Sequence, residues 1–307
     1  MSSTTTPTTT PTTPTTLGAA VPGVAGSAPR FDLPRLRERA WATLVWVLVG
    51  FFVVNLLAMI ATVVTSSFST RWLGTWLPAA LTTRWYGSAW GEFQLSNVLL
   101  VTFEAVFAVV ALSGLLGVTA AYALARRDFV GKRAVMLLLL LPMLVPPITY
   151  GIPLATVLYQ SGLGGTLGGV IAANLVPSVP FVVLVMIPFI EQIDPKIEAA
   201  ARVFGAGTGR MFVHVLLPLL LPGVLAALLL VLVRTIAMFE LTFLVAGPDS
   251  QTLVVALYYA VFAAGVRAVQ SVDAVAVIYM ATTMVWLLIA LRFVSPTQIV
   301  TRAKQAR

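Results

Sequence analysis

Six apolar stretches, each long enough to cross a bilayer as a helix, constrain this chain more than any single motif in it. They are Trp41–Thr65, Asn97–Ala125, Ala134–Tyr159, Leu167–Ile190, Leu219–Ala246 and Val272–Phe293. A transmembrane helix takes about 20 apolar residues. Within hydrocarbon the segment must satisfy its own backbone N–H and C=O groups, so runs of this length predict helices. The expected fold class is an all-α integral membrane protein with about six transmembrane helices. A further apolar run, Thr252–Gly265, has only 14 residues and is expected to re-enter the membrane or lie at its surface. Composition agrees: 59% of the 307 residues are hydrophobic and 10% charged, where soluble domains carry roughly 25% charge.

The same composition excludes several kinds of chemistry. Without cysteine there are no disulfides, iron–sulfur clusters or thiolate zinc sites. A single histidine, His214, rules out a two-histidine metal centre and leaves little room for a nucleophile–histidine pair; an ordinary hydrogen-bonded role is expected for it. No Gly-x-x-x-x-Gly-Lys-Ser/Thr stretch is present, and Gly205-Ala-Gly-Thr-Gly resembles a phosphate loop only superficially, because no strand precedes it. We expect no catalytic residue, no metal and no cofactor in this chain. Energy, if used, must come from another chain.

The net charge of +8 is a topology signal rather than a nucleic-acid footprint. With the N-terminus inside, 15 of the 19 basic residues fall on the cytoplasmic side: Arg30, Arg35, Arg37 and Arg39 before the first span, the 126–133 loop, Lys196, Arg202 and Arg210, and the C-terminus. That asymmetry satisfies the positive-inside rule and predicts both termini in the cytoplasm. No nucleic acid is expected as a partner; membrane lipid is. Residues 1–40 are expected to form a cytoplasmic Thr/Pro-rich tail, disordered for want of a core. Residues 41–94 supply the first span and an extracytoplasmic interfacial segment with Trp72, Trp76, Trp85 and Trp90. Residues 95–293 form the core membrane domain and 294–307 a basic cytoplasmic C-terminus. No cleavable signal peptide is expected, since the first apolar run begins near Trp41.

Glu191–Pro218 is the longest polar interruption in the C-terminal two-thirds, and it reads as two short helices around a glycine turn. Asp194 can cap the first, with Pro195 at its first position; Thr208 is a candidate cap for the second. So small a unit cannot bury Val203, Phe204, Met211 and Phe212 within itself, which predicts a groove elsewhere for them.

This loop resembles the coupling loop of binding-protein-dependent ABC importer permeases of the type I class. The family pattern is Glu-Ala-Ala, three residues, Gly, nine residues, Ile, any residue, Leu-Pro. Counting from Gly205 places Val215 at the Ile position, then Leu217 and Pro218 where the pattern wants them. The Glu position falls on Ala199, with the acid one residue earlier at Glu198, and the often acidic position before the glycine is Phe204. The resemblance implies that Glu198, Ala199, Ala200, Val203, Phe204, Gly205 and Phe212 couple the chain to an ATPase. It further implies a second permease subunit, as a heterodimer, two cytosolic ABC ATPases carrying ATP and magnesium, and an extracytoplasmic solute-binding protein. The layout is closest to the polyamine, opine, aminophosphonate and thiamine branch; a sugar or polyol permease is the alternative. From a different class, an ion-coupled secondary transporter would work without an ATPase, and a structural membrane scaffold would not transport at all.

Ionisable residues within spans mark candidate solute contacts, because charge there is costly. Glu104, Arg234 and Glu240 qualify, and at about 1.5 Å rise per residue all three fall in the outer half, with Tyr150 at a depth similar to Arg234. Two carboxylates against one guanidinium favour a cationic or zwitterionic solute. The structural alternative is an ion pair of Arg234 with Glu104 or Glu240 that serves packing alone. Pro142, Pro146, Pro147 and Pro153 in the third span, and Pro177, Pro180 and Pro188 in the fourth, must interrupt backbone bonding, as a hinge or as simple kinks.

Overall fold

The computed structural model describes residues 33–72, 75, 77–262 and 268–293, so the Thr/Pro-rich start of the tail, Trp76, Arg267 and the basic C-terminus lie outside the described residues. The described residues form an all-α fold, with twelve α-helices: α1 (Leu33–Ser67), α2 (Arg84–Glu92), α3 (Leu95–Arg126), α4 (Lys132–Leu144), α5 (Pro147–Gln160), α6 (Leu167–Glu191), α7 (Pro195–Val203), α8 (Thr208–Met211), α9 (Leu217–Ile236), α10 (Glu240–Val245), α11 (Leu253–Phe262) and α12 (Val269–Phe293). Five helical stretches are long and apolar enough to cross a membrane: Trp41–Ser67, Leu95–Arg126, Leu167–Glu191, Thr208–Ile236 and Val269–Arg292. The chain divides after Leu56 into two compact units. In the first, the described residues are a single helical stretch, apolar from Trp41 onward.

The second unit is built on α3, α6 and α9. Val109, Val118 and Ala121 of α3 meet Val182, Val183 and Met186 of α6 and Leu220, Ala227 and Val231 of α9 in one buried cluster. Close approach of α3 to α6 depends on Gly117, where an added Cβ would stand 2.6 Å from the Val182 side chain. Small residues at crossings let membrane helices pack through their backbones. A second cluster joins α2, the start of α3, α11 and α12, and a third joins α5, α6 and α10.

Two of the expected spans are not straight helices. The third splits into α4 and α5, bent by 105°. The cause is local: Val145, restricted by the proline after it, is extended (φ −88°, ψ 134°), and Pro146 and Pro147 together remove two donors before α5 restarts with Pro147 in its first turn. Pro142, Pro153 and the three prolines of α6 stay within their helices. The fifth span stops at Ile236, and Glu240 opens the separate short helix α10. Depth counted along one continuous helix therefore does not hold for Glu240. The short run after Thr252 is the ten-residue α11.

At the far end of the helices from α7, Gly165 N–H donates to Val245 O (2.8 Å) and Ser250 Oγ donates to Gly165 O (3.0 Å), tying the α5–α6 turn to the segment after α10. Thr166 caps α6, accepting from Gly169 N–H.

Candidate functional site: the coupling loop and the polar residues of the spans

The polar loop folds as two short helices around a turn. Asp194 accepts from Lys196 N–H (2.9 Å) and Pro195 opens α7. Gly205 turns the chain at φ +82° with open space around it, a conformation that costs a side-chain-bearing residue about 1–2 kcal/mol. Thr208 is not the second cap: Gly207 holds that position and makes no side-chain bond. From Phe212 to Leu216 the helix widens into one π turn, with Leu217 N–H bonded back to Phe212 O. Pro218 has no N–H to offer His214 O, so the chain reaches α9 through the wider turn. His214 Nδ1 lies 3.2 Å from Arg210 O, on the exposed side.

Burial separates the expected coupling residues into two groups. Val203 and Phe204 are 85% and 90% exposed, beside the exposed Ile197, Ala199, Ala200 and Gly205. Met211 is fully buried, and Phe212 lies edge-on to Tyr122 at 5.4 Å between ring centroids, so these two find their groove within the chain. Glu198 also faces inward. It is 5% exposed; its Oε1 accepts from Arg126 Nε (2.7 Å) and its Oε2 from Tyr122 Oη (2.9 Å). Arg126 donates through its other arm to Ile193 O at 2.6 Å. Sequence alone could not have paired Glu198 with Arg126, because 72 residues separate them.

Among the span residues, Glu104 is exposed on α3 between the exposed Leu100, Phe103 and Phe107. Arg234 and Glu240 are half-buried. Arg234 lies over the Phe181 ring at 5.8 Å, and none of the described residues pairs a carboxylate with it. Among the described residues, the ion pair of Arg234 with Glu104 or Glu240 is thus not formed. Tyr150 packs against α10, within Coulombic reach of both Arg234 and Glu240, and its buried hydroxyl has no hydrogen-bond partner among the described residues. The structure therefore groups Tyr150, Arg234 and Glu240 near the α9–α10 break and leaves Glu104 apart on an exposed face.

Two polar contacts were not singled out from sequence. Asn174 of α6 donates to Thr242 of α10 at 3.1 Å, both nearly fully buried. Ser66 of α1 donates to Asp273 of α12. The available signal was the residue type: an amide or acid inside an apolar run seeks a partner on another helix.

The described residues thus form a multi-pass helical membrane fold, with a polar two-helix loop at one end and two broken spans beside polar residues. Residues 113–305 match the family described as binding-protein-dependent transport system inner membrane component, and the chain belongs to that family. It is 33% identical over 160 residues to the molybdenum transport system permease protein ModB of Haemophilus influenzae, covering 47% of this chain and 69% of that protein. It is 32% identical over 142 residues to the molybdate/tungstate transport system permease protein WtpB of Thermococcus kodakarensis. It is 30% identical over 161 residues to the melibiose/raffinose/stachyose import permease protein MelC of Bacillus subtilis. The matches cover 46% and 50% of this chain, and the chain spans only 55% of each of these last two relatives. In structure, it is similar to a chain of a bacterial ABC transporter involved in the import of the acidic polysaccharide alginate. That match has a TM-score of 0.69 and 19% identity, and it covers 83% of this chain and 97% of that one. The likeness shows a shared fold.

Proposed function

We propose that this chain is the permease subunit of an ATP-driven importer, paired with a second permease subunit as a heterodimer and served by two cytosolic ABC ATPases and an extracytoplasmic solute-binding protein. ATP and magnesium belong to the ATPases. The observation that carries this reading is the tip of the coupling loop: Val203 and Phe204, large apolar side chains left 85% and 90% exposed on a turn fixed by Gly205. Such a tip suits a groove on another protein. Closure of the ATPases on ATP would move this tip and drive the spans between inward- and outward-open states. The distribution of basic residues supports cytoplasmic N- and C-termini in a bacterial plasma membrane. Co-expression of the chain with candidate ABC ATPases tests the docking: wild-type protein retains an ATPase through purification, and Phe204→Ala loses it.

For the solute we infer a small cationic or zwitterionic organic molecule, a polyamine being the simplest, met by Glu240 with Tyr150 and Arg234 alongside. A specific observation favours a second reading. Arg234 carries no ion pair among the described residues, and relatives are named for molybdate, tungstate and molybdenum transport, so an oxyanion held by that guanidinium is the competing class. Uptake of labelled spermidine and of labelled molybdate, each with the other as unlabelled competitor, separates the two. A sugar or polyol is not favoured by this charged set.

A further inference from the structure

Glu198, expected to face an ATPase, is instead fully engaged inside its own chain. Both carboxylate oxygens have donors, one from Arg126 and one from Tyr122. Arg126 is the last residue of α3, and its second arm holds the carbonyl of Ile193, in the short link from α6 to α7. Tyr122, one turn higher on α3, carries Phe212 at the start of the π turn that leads into α9. A single turn of α3 therefore grips the chain leaving α6, the docking helix α7 and the chain entering α9. A buried pair of this kind adds little net stability, because the desolvation of both charges offsets their attraction. What it fixes is geometry, with two bonds to the carboxylate and a second anchor from the same guanidinium.

We propose that Glu198, with Arg126 and Tyr122, is a positioning clamp: it makes the exposed Val203–Phe204 tip and α3 one rigid lever, so displacement of the tip reaches the span instead of being absorbed by the loop. The clamp rests on the reading of this loop as the ATPase-docking element, and it assigns Glu198 to transmission rather than to contact with the ATPase.

The chain has no cysteine, so spin labels can be placed at cysteines replacing the exposed Lys196 of α7, outside the docking tip, and Leu115 on the exposed side of α3, in full-length protein in nanodiscs. The wild-type background gives one narrow distance distribution, and with a co-purified ABC ATPase, ATP plus vanadate leaves that distance unchanged. Glu198→Gln and Arg126→Met broaden the distribution, and ATP plus vanadate then shifts it, because the tip moves without the span. The exchanged pair Arg126→Glu with Glu198→Arg narrows it again, which a general loss of folding would not allow. Narrow distributions in both single variants overturn the clamp, as does loss of the ATPase from Glu198→Gln with the distance unchanged. Should neither single variant accumulate, Tyr122→Phe is read instead: broadening supports the clamp and an unchanged distribution overturns it. If no ATPase stays bound to the wild-type chain, it is the docking reading that fails, while the distances without nucleotide still decide the clamp.

Discussion

Arg234 sits on the face of Phe181 with no carboxylate of the described residues paired to it, and Glu240 begins a separate helix. That placement decides which mutant phenotype to expect. Had the two formed a buried pair, breaking it would cost about 3–5 kcal/mol and lower the amount of protein in the membrane. As placed, Glu240→Gln keeps wild-type abundance, since a neutral amide is easier to hold in a membrane than a carboxylate. If a cationic solute meets Glu240, a charge-assisted bond of about 1.5–3 kcal/mol is lost and half-saturation of uptake rises about tenfold or more. Arg234→Met likewise keeps abundance, and it impairs uptake most if the solute is an oxyanion. Quantitative immunoblotting beside uptake reads both effects. A fall in abundance in Glu240→Gln that Arg234→Met restores would show that the pair forms after all.

At the scale of elements, two glycines make opposite demands. Gly205 has open space around it and only its positive φ to defend, so Gly205→Ala leaves abundance intact and loosens the tip by about 1–2 kcal/mol. Gly117 is pressed by Val182, so Gly117→Ala overpacks the α3–α6 crossing by about 1–3 kcal/mol and lowers abundance. If the proposed docking holds, Phe204→Ala removes the exposed aromatic and is expected to release the ATPase; truncating an interface aromatic often costs about 2 kcal/mol or more. Retention of the ATPase through pull-down, set against membrane abundance, distinguishes the three. The elements themselves were largely legible from sequence, because apolar length and the Asp194–Pro195 start are local signals. The bend at Val145–Pro146 was not placed, since four prolines share that run and only the adjacent pair removes two successive donors. Nothing local marks the break after Ile236, where Ala237, Met238 and Phe239 offer neither glycine nor proline. The inward turn of Glu198 depends on a partner in another helix, and the sequence around it is blind to that.

For the whole molecule, orientation comes first. Cysteines introduced at Ser161 and Asp249 are expected to label with a membrane-impermeant maleimide from outside, and one at Thr208 only after the membrane is opened. Labelling of Thr208→Cys from outside would reverse the topology and remove the coupling loop from the cytoplasm. The chain belongs to a permease family, but family membership does not by itself say what drives transport in this protein. The most direct measurement is uptake into inside-sealed vesicles that carry this chain, a partner permease, ABC ATPases and a binding protein, with labelled spermidine and labelled molybdate as probes. The account predicts uptake of one probe that requires ATP, disappears when the ATPase P-loop lysine is mutated, and survives collapse of the proton and sodium gradients by ionophores. Uptake by this chain alone, driven by an ion gradient and indifferent to ATP, would contradict it.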